Sequence, residues 1–429
     1  MKVAFYTLGC KVNNYETTAI QNEFIKKDFE IVNFDTIADV YVINTCAVTK
    51  QSDKKSRQMI RRARKLNENA IIVACGCSTE VLKDDNSFSQ ADIIIGSANK
   101  TNIANIVIDY SKDKKKYIFD TSIDEIKEFE HMSVLSFQNK TRASIKIEDG
   151  CDNYCAYCII PFVRGSVRSK PIEKALSEIN ELAKNGYQEI VLTGIHLTSY
   201  GKDLDNINLI NLIEKIGEIK GIERLRLGSL EPTYLNEKIV KRIKKIKSLC
   251  PHFHLSLQSG CDETLIRMGR KYTTCEYEKE VKLLREHFPN CSITTDIMTG
   301  FPNETEKEFN ESFEFFKKIH FSNAHIFTYS RRKGTKADIM PNQVDENIKI
   351  NRARILLEQS KTDKQNYLKL QIGKKNDILF ENTYKNGFYE GYTSNYILVK
   401  VKSDLDVRKS FKNVEILQVK EDFCIGQII

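Results

Sequence analysis

The sequence contains no tryptophan and no long apolar run. No segment approaches the roughly 20 apolar residues that a membrane-spanning helix needs, so a transmembrane protein is excluded and no membrane partner is expected. The first residues, MKVAFYTLGC, turn polar too early for a secretory signal peptide, and we therefore expect a cytoplasmic protein. Hydrophobic residues make up 41% and charged residues 29% of the chain, which excludes a disordered or fibrous protein.

The chain also lacks a strong excess of charge. Its 66 Lys and Arg against 58 Asp and Glu leave a net charge of +8, too mild by itself to establish a nucleic-acid partner. What it has in quantity is cysteine, with 12 residues. In a reducing compartment, clustered cysteines indicate metal binding or catalysis rather than disulfides. A length of 429 residues corresponds to about three domains.

Strand-like and helix-like patterns alternate in the first 112 residues, which predicts a parallel α/β domain. The predicted strands are Lys2–Leu8, Val40–Asn44 and Ala70–Cys75. The predicted helices are Tyr15–Lys27 and Lys50–Leu66. Residues 113–138 are charged and weakly periodic, and we interpret them as a linker.

A second βα series occupies residues 139–367. Its predicted strands are Ala143–Glu148, Glu189–Gly194, Arg224–Ser229, Phe253–Gln258, Ser292–Met298 and Ala324–Tyr329. Six strands are fewer than the eight of a full barrel, so we expect a partial, open (β/α)6 barrel. Residues 368–429 alternate with a period of two and predict a small antiparallel β barrel or sandwich.

The sharpest motif is a loop with three cysteines in the spacing C-x3-C-x2-C: Cys151, Cys155 and Cys158. Three thiolates on a short loop suit three corners of a cubane iron–sulfur cluster. With no fourth ligand nearby, one iron stays open for an exchangeable ligand. A zinc site is the alternative, but zinc commonly uses two C-x2-C pairs and no second pair follows.

A second group of cysteines is scattered in sequence. Cys10, Cys46 and Cys77 each come just after a predicted strand of the N-terminal sheet. Ligand sites of parallel sheets lie at that edge, so the three thiols are candidates for a second cluster. They are alternatively three small buried cysteines, and Cys75 competes with Cys77. The other five cysteines are interpreted as structural: Cys250, Cys261, Cys275, Cys291 and Cys424.

The segment Lys50–Lys65 holds eight basic residues against a single acid, Asp53. On a helix, Lys54, Arg57, Arg61 and Arg64 share one face. This face suits RNA phosphates, although a solvated helix face is the alternative. In the C-terminal segment, six aromatic residues are candidates for stacking on bases or for the core: Phe380, Tyr384, Phe388, Tyr389, Tyr392 and Tyr396.

Five further segments carry a family resemblance. They are Thr7–Glu16 (TLGCKVNNYE), Asn44–Thr49 (NTCAVT), Lys55–Arg62 (KSRQMIRR), Cys158–Gly165 (CIIPFVRG) and Thr193–Gly201 (TGIHLTSYG). With the two cysteine groups, the chain resembles the radical S-adenosylmethionine (SAM) methylthiotransferase family over nearly its whole length. The segments around Cys10, Cys46 and His196, together with Lys55–Arg62, resemble the branch that acts on threonylcarbamoyladenosine in tRNA. Where the family usually has one cysteine followed by an aromatic residue, this chain has Cys75 and Cys77.

The resemblance implies the domain organisation. Residues 1–112 correspond to the methylthiotransferase N-terminal domain and 113–138 to a linker. Residues 139–367 correspond to the radical SAM core, and 368–429 to a TRAM-like RNA-binding β domain.

The resemblance also implies two [4Fe–4S] clusters and SAM as cofactors. The cluster at Cys151, Cys155 and Cys158 cleaves SAM to a radical that abstracts hydrogen from C2 of the adenine ring. The cluster at Cys10, Cys46 and Cys77 provides sulfur, and a second SAM provides the methyl group. The implied SAM contacts are Tyr157, Gly194, Glu231, Gln258 and Asp296. For Glu231 and Asp296 a structural carboxylate is the alternative.

The implied partners are the anticodon region of tRNA and a reductant such as flavodoxin or ferredoxin. The same chemistry on isopentenyladenosine of tRNA, or on an aspartate of a ribosomal protein, is an alternative. A non-enzymatic iron–sulfur or zinc protein that binds RNA is an alternative of a different class, which would not cleave SAM.

Overall fold

The computed structural model describes residues 1–81, 86–114, 117–119, 123–134, 136–137 and 140–429. Its N-terminal part is a parallel sheet of six strands: β1 (Lys2–Thr7), β2 (Glu30–Val32), β3 (Val40–Thr45), β4 (Ile71–Gly76), β5 (Ile93–Ile95) and β6 (Tyr117–Phe119). The strand order is β2-β1-β3-β4-β5-β6. The helices of this part are α1 (Lys11–Lys26), α2 (Lys50–Leu66), α3 (Cys77–Val81) and α4 (Ile103–Asp113).

Helices cover both faces of this sheet. Helices α1 and α4 pack through Phe24 and Val107 on one face, and α2 packs through Met59 and Ala63 on the other. Strand β3 is therefore buried along its whole length, as is typical of central parallel strands. The predicted parallel α/β fold of this part is confirmed. The short strands β2, β5 and β6 and helix α4 were not predicted, and β6 lies within the segment predicted as a linker.

The predicted linker is tied to the rest of the chain by buried apolar side chains. Met132, Val134 and Phe137 join the barrel core together with Tyr15 of α1. The Tyr15 hydroxyl donates to the carbonyl of Met132 at 2.7 Å. These apolar residues are unevenly spaced, so neither a helical nor a strand period marks them. Residues 115–116, 120–122, 135 and 138 of this segment lie outside the described residues.

The central part is a barrel of parallel strands. They are β7 (Arg142–Lys146), β10 (Glu189–Thr193), β11 (Arg224–Leu227), β12 (Ser229–Leu230), β13 (His252–Leu255), β14 (Ser292–Thr299) and β15 (Asn323–Thr328). A short antiparallel ribbon of β8 (Glu148–Asp149) and β9 (Arg168–Ser169) flanks the cysteine loop. The helices are α5 (Ile160–Arg164), α6 (Ile172–Lys184), α7 (Leu209–Gly217), α8 (Glu237–Ile243), α9 (Asp262–Met268), α10 (Thr274–His287), α11 (Glu306–Ile319) and α12 (Glu346–Lys369).

The barrel is open, as predicted. Its strands form two sheets, β11-β10-β7 and β12-β13-β14-β15. Strands β11 and β12 are separated only by Gly228, so the barrel has six strand positions. In the described part of the chain, no pairing joins β15 back to β7.

The C-terminal part is a closed β barrel in the order β16-β17-β18-β20-β19. Its strands are β16 (Lys375–Lys385), β17 (Phe388–Tyr392), β18 (Leu398–Val401), β19 (Phe411–Val419) and β20 (Cys424–Ile428). It is docked to the central barrel by Arg224, which donates to the carbonyl of Tyr392 at 2.8 Å, and by Arg226, which donates to the carbonyl of Ser394 at 3.0 Å. Among the described residues, no helix combines the length and apolar character needed to cross a membrane.

Candidate active site

The first cysteine group lies in the loop between β8 and α5, at the carboxyl end of the first barrel strand. The backbone amide of Cys151 donates to the carbonyl of Gly165 at 3.0 Å. The amide of Cys158 donates to the carbonyl of Cys155 at 2.9 Å. Burial raises the pKa of the Cys151 thiol to about 11 and that of Cys158 to about 12. These thiols are therefore neutral at physiological pH unless a metal displaces their protons.

A nearly buried arginine, Arg270, connects this loop to Glu231. Its Nη1 donates to the Sγ of Cys155 at 3.3 Å, and its Nη2 donates to Oε2 of Glu231 at 2.8 Å. The Nε2 of His196 lies 3.4 Å from the same carboxylate oxygen. The structure thus brings Glu231, a predicted SAM contact, to the cysteine loop. The sequence predicts no role for Arg270, because no local motif marks it.

Tyr157 and Gln258 line a cavity of about 220 Å³ that also reaches Cys158. The ring of Tyr157 packs edge-on against Phe301, with centroids 6.4 Å apart. Gln258 has a φ of 64°, a conformation that is costly for any residue except glycine. Its buried Oε1 has no hydrogen-bond partner among the residues that the structure describes. A buried acceptor left unpaired costs about 1–3 kcal/mol, so this oxygen is available to a ligand.

Gly194 lies in a second cavity of about 560 Å³, which Cys10 of the N-terminal part also lines. A Cβ at Gly194 would lie 2.6 Å from Oε2 of Glu148, so the close approach requires glycine. The same carboxylate oxygen accepts the backbone amide of His196 at 2.7 Å. Burial raises the pKa of Glu148 to about 8.

Asp296 also lines the larger cavity rather than the smaller one. Its carboxylate lies 3.2 Å from Nε2 of His254 and 3.3 Å from Nδ1 of His325. Burial opposes the charge, but the hydrogen bonds from both histidines hold the pKa of Asp296 well below its usual range. The carbonyl of Asp296 nevertheless accepts the backbone amide of Gln258 at 2.8 Å, so these two predicted SAM contacts are neighbours that line different cavities.

The second cysteine group converges at the carboxyl edge of the N-terminal sheet. Cys10 immediately precedes α1, Cys46 follows β3, and Cys77 is the first residue of α3. A Cβ at Gly9 would lie only 2.7 Å from the Sγ of Cys46, so the loop that carries Cys10 passes close to the loop that carries Cys46. Burial, together with the nearby Cys77 and Cys10 thiols, raises the pKa of Cys46 to about 11.

The side chains of Cys75 and Cys77 have different surroundings. Cys75 is fully buried in the apolar cluster beneath α1 and α4, among residues such as Val3 and Phe24. Cys77 lies beside Ala47, next to the loop that carries Cys46. The structure brings Cys77 together with the other two predicted ligands and leaves Cys75 in the core.

A buried ionic network connects the two cysteine groups. The Nε of Arg164 donates to the Sγ of Cys77 at 3.2 Å. Its Nη1 donates to Glu16 and to Asp149, each at 2.8 Å. Glu16 belongs to α1, and Asp149 comes two residues before Cys151. Because each of these charged side chains is almost completely buried, the network fixes the N-terminal sheet against the first barrel loop. The sequence predicts no role for Arg164, although it lies in the CIIPFVRG segment.

The spacing of the sulfur atoms distinguishes a cluster from a single ion. With Zn–S bonds of about 2.3 Å, the sulfurs of a tetrahedral zinc site lie about 3.8 Å apart. Among the described residues, only Cys261, Glu263 and Glu311 bring three ligand atoms within 4.8 Å of one another. Both cysteine triads are wider than that. Three thiols that are not held this close together suit an iron–sulfur cluster, in which each thiolate binds a different iron atom.

Helix α2 carries the predicted basic surface, but Arg64 is used within the protein. Its Nη2 forms an ion pair with Asp92 at 2.7 Å, and its Nη1 donates to the carbonyl of Ala70 at 2.9 Å. In the described part of the chain, the basic residues of α2 that are exposed and make no ion pair are Lys50, Lys54, Arg61 and Lys65. Thr49, which caps the helix by accepting from the amide of Ser52, lies next to the loop of Cys46.

The aromatic residues of the C-terminal barrel have different surroundings. Phe380 is fully buried in the core of that barrel. Tyr396 lies under the guanidinium of Arg226 at 4.5 Å and stacks on His252 at 5.0 Å, so it belongs to the contact with the central barrel. Tyr384 is 57% exposed and remains available for a base.

Two known families match this chain. Residues 145–316 match the Radical SAM superfamily, and residues 2–96 match the uncharacterized protein family UPF0004. The first match covers the barrel with Cys151, Cys155 and Cys158. The second covers the sheet that carries Cys10, Cys46 and Cys77.

Curated relatives match over almost the whole length. The chain is 36% identical to the threonylcarbamoyladenosine tRNA methylthiotransferase MtaB of Bacillus subtilis, over 100% of this chain and 96% of that protein. It is 39% identical to MtaB of Aquifex aeolicus, over 94% and 100%. It is 35% identical to the tRNA-2-methylthio-N(6)-dimethylallyladenosine synthase of Natranaerobius thermophilus, over 91% and 86%.

Solved structures share the fold. The radical S-adenosylmethionine methyltransferase TsrM of Kitasatospora setae superposes with a TM-score of 0.58 at 14% identity, over 79% of this chain and 77% of that one.

Proposed function

Because this chain belongs to the family of radical SAM tRNA methylthiotransferases, we propose that its substrate is N6-threonylcarbamoyladenosine next to the anticodon of tRNA. The product carries a methylthio group at C2 of the adenine. The observation that carries the proposed reaction is the 560 Å³ cavity that Cys10 and Gly194 line together, and the relatives named MtaB support the choice of substrate. Sulfur delivery and radical formation have to reach the same carbon atom, and this cavity is shared by the two parts of the chain to which we assign those tasks.

The enzyme uses [4Fe–4S] clusters and SAM. We assign one cluster to Cys151, Cys155 and Cys158, the three thiols that would hold it. We assign a second cluster to Cys10, Cys46 and Cys77. The C-x3-C-x2-C loop supports the first assignment, and the position of Cys10, Cys46 and Cys77 at one edge of the N-terminal sheet supports the second. When bound, the first cluster and SAM would together supply the radical chemistry that removes hydrogen from C2.

C2 of adenine is an unactivated position, so the side chains act by positioning and by excluding water rather than as acids or bases. The N–H groups of Arg270 and Arg164 stabilise the thiolates of Cys155 and Cys77. Gln258 offers a buried, unpaired oxygen to SAM, and Gly194 allows a ligand to approach the backbone. The proposed SAM contacts are Tyr157, Gly194, Glu231, Gln258 and Asp296.

The tRNA is held through its phosphates. The exposed, unpaired basic residues of α2 lie on the helix that follows the loop of Cys46, so phosphates bound there are close to the proposed cluster. The electron comes from a reductant such as flavodoxin or ferredoxin.

The same reaction on isopentenyladenosine is the second candidate. It is favoured by the relative from Natranaerobius thermophilus, whose identity of 35% is close to the 36% of the Bacillus subtilis relative. Overall identity therefore does not separate the two substrates.

Mass spectrometry of tRNA nucleosides from cells lacking this protein tests the proposal. We expect 2-methylthio-N6-threonylcarbamoyladenosine to disappear, its precursor to accumulate, and methylthio-isopentenyladenosine to stay unchanged. A plasmid copy of the gene should restore the product, and a Cys155→Ala copy should not. Normal levels of the threonylcarbamoyl product in the deletion strain would contradict the substrate assignment.

A further inference from the structure

One lysine lies on the wall of the cavity shared by Cys10 and Gly194. Lys11 is the only lysine or arginine among the residues that line it. As the first residue of α1, it follows Cys10 directly. Among the described residues, its ammonium forms no ion pair and no hydrogen bond, although the nearby Tyr396 and Asp296 favour its charge.

The neighbouring charges already have partners. Burial and the positive charge of Arg226 both lower the pKa of Lys11, and Arg226 forms an ion pair with Glu189 at 3.0 Å. The carboxylate of Asp296 lies 3.2 Å from His254. Lys11 thus places a positive charge, which no carboxylate in the described part of the chain contacts directly, on the wall of the cavity where we place the substrate base.

We propose that the ammonium of Lys11 binds the carboxylate of the threonylcarbamoyl group and thereby selects this nucleoside over adenosines with an uncharged N6 substituent. The inference rests on the proposed function. An isopentenyl group is apolar and would leave the cation unpaired in a partly desolvated cavity. Sites built to pair a polar or charged group reject analogues that lack it far more strongly than apolar pockets reject analogues differing by one methylene group.

Equilibrium binding of anticodon stem-loop RNAs to the cluster-loaded full-length enzyme tests this inference. The RNAs carry threonylcarbamoyladenosine, its methyl amide, isopentenyladenosine or unmodified adenosine, and binding is followed by fluorescence anisotropy without reductant at one salt concentration. For the unsubstituted enzyme, we expect the carboxylate to strengthen binding about 10- to 100-fold over the neutral methyl amide. This comparison needs no variant, so it stands even if a variant folds poorly.

Three variants test whether Lys11 causes the preference for the threonylcarbamoyl RNA. Lys11→Met should bind the threonylcarbamoyl RNA no better than its methyl amide and should leave the methyl amide affinity unchanged. Lys11→Arg should keep most of the preference. Lys54→Met, on the exposed face of α2, should weaken the binding of all four RNAs by the same factor, as the loss of a phosphate contact does. Iron content and visible absorption of each variant show whether its clusters are loaded.

The outcomes separate the inference from the proposed function. If the unsubstituted enzyme prefers isopentenyladenosine RNA, the proposed substrate is wrong. If it prefers threonylcarbamoyladenosine RNA but Lys11→Met keeps that preference, or loses affinity for every RNA equally, the role of Lys11 is wrong. SAM also has a carboxylate, so SAM affinity is measured as well, and a Lys11→Met variant that loses SAM binding would likewise overturn the inference.

Discussion

The buried network around Glu16 predicts that charge balance, rather than the number of hydrogen bonds, sets the cost of a substitution. Two carboxylates, Glu16 and Asp149, are in contact with four cations. The cations are Lys100, Lys146, Arg164 and Arg168. We compare Glu16→Gln with Arg164→Met, since the two residues form an ion pair with each other at 2.8 Å.

Removing the charge of Glu16 leaves Lys100 without a paired anion in the network, and leaves Lys146 and Arg164 paired with Asp149 alone. A buried charge left without its partner costs about 3–5 kcal/mol. Removing Arg164 deletes more hydrogen bonds, yet Glu16 keeps Lys100 and Lys146, and Asp149 keeps Lys146 and Arg168. Its cost is then that of unpaired acceptors, about 1–3 kcal/mol. We expect Glu16→Gln to be the more destabilising change by about 2 kcal/mol.

Urea unfolding at pH 7, followed by circular dichroism on the cluster-free chain, measures this difference. With a slope of about 3 kcal/mol per molar urea, Glu16→Gln should lower the midpoint by about 1–1.7 M. Glu181→Gln is the matched control, because its ion pair with Lys184 is exposed and should contribute less than about 1 kcal/mol. If Arg164→Met lowers the midpoint as much as Glu16→Gln does, the charge-balance reasoning is refuted.

Three further predictions concern the cluster, the pH dependence and the RNA surface. After anaerobic reconstitution, Cys77→Ala should lose the iron of one cluster while Cys75→Ala keeps it, and the reverse pattern would move the ligand to Cys75. Burial raises the pKa of Glu280 from 4.5 to about 7, so its contribution is fully favourable below pH 4.5 and is lost as the pH rises to 7, by about 3 kcal/mol. Unfolding of Glu280→Gln between pH 4.5 and 7 should show a flatter stability profile, and an unchanged slope would contradict this assignment. Arg61→Ala should reduce the slope of log affinity for tRNA against log salt by about 0.7–0.9, whereas Arg64→Ala should mainly lower the melting temperature because Arg64 is paired with Asp92.

The sequence was most informative where one element satisfies a single local rule. Strands β1, β3 and β4 are short apolar runs rich in β-branched residues, and all three were predicted. Helix α2 was predicted with its observed ends because its amphipathic pattern is long. Strands β2 and β5 have three residues each, too few for a period to be recognised, and they depend on pairing with strands already in the sheet.

In the candidate site too, a local motif predicts some residues, whereas only the folded structure brings the others together. The C-x3-C-x2-C motif can be recognised from the sequence alone because its three cysteines lie close together in one loop. Cys10, Cys46 and Cys77 become a group only when parallel strands place them at one edge. Arg270 contacts Cys155 across 115 residues of sequence, and Arg164 contacts Cys77 across 87. No spacing rule connects such pairs, since the packing of the barrel and the sheet creates them.

These two arginines point to a common physical requirement of the two triads. Each donates N–H to a cysteine sulfur, at 3.2 Å for Arg164 and 3.3 Å for Arg270. Burial raises the pKa of thiols in both triads, to about 11 for Cys46 and Cys151, so an unloaded site opposes thiolate formation. The network around Arg164 contains more cations than carboxylates, and that excess is reduced when Cys77 is a thiolate bound to metal. The fold is therefore matched electrostatically to its loaded state, and loading the clusters should stabilise the chain as well as equip it for catalysis.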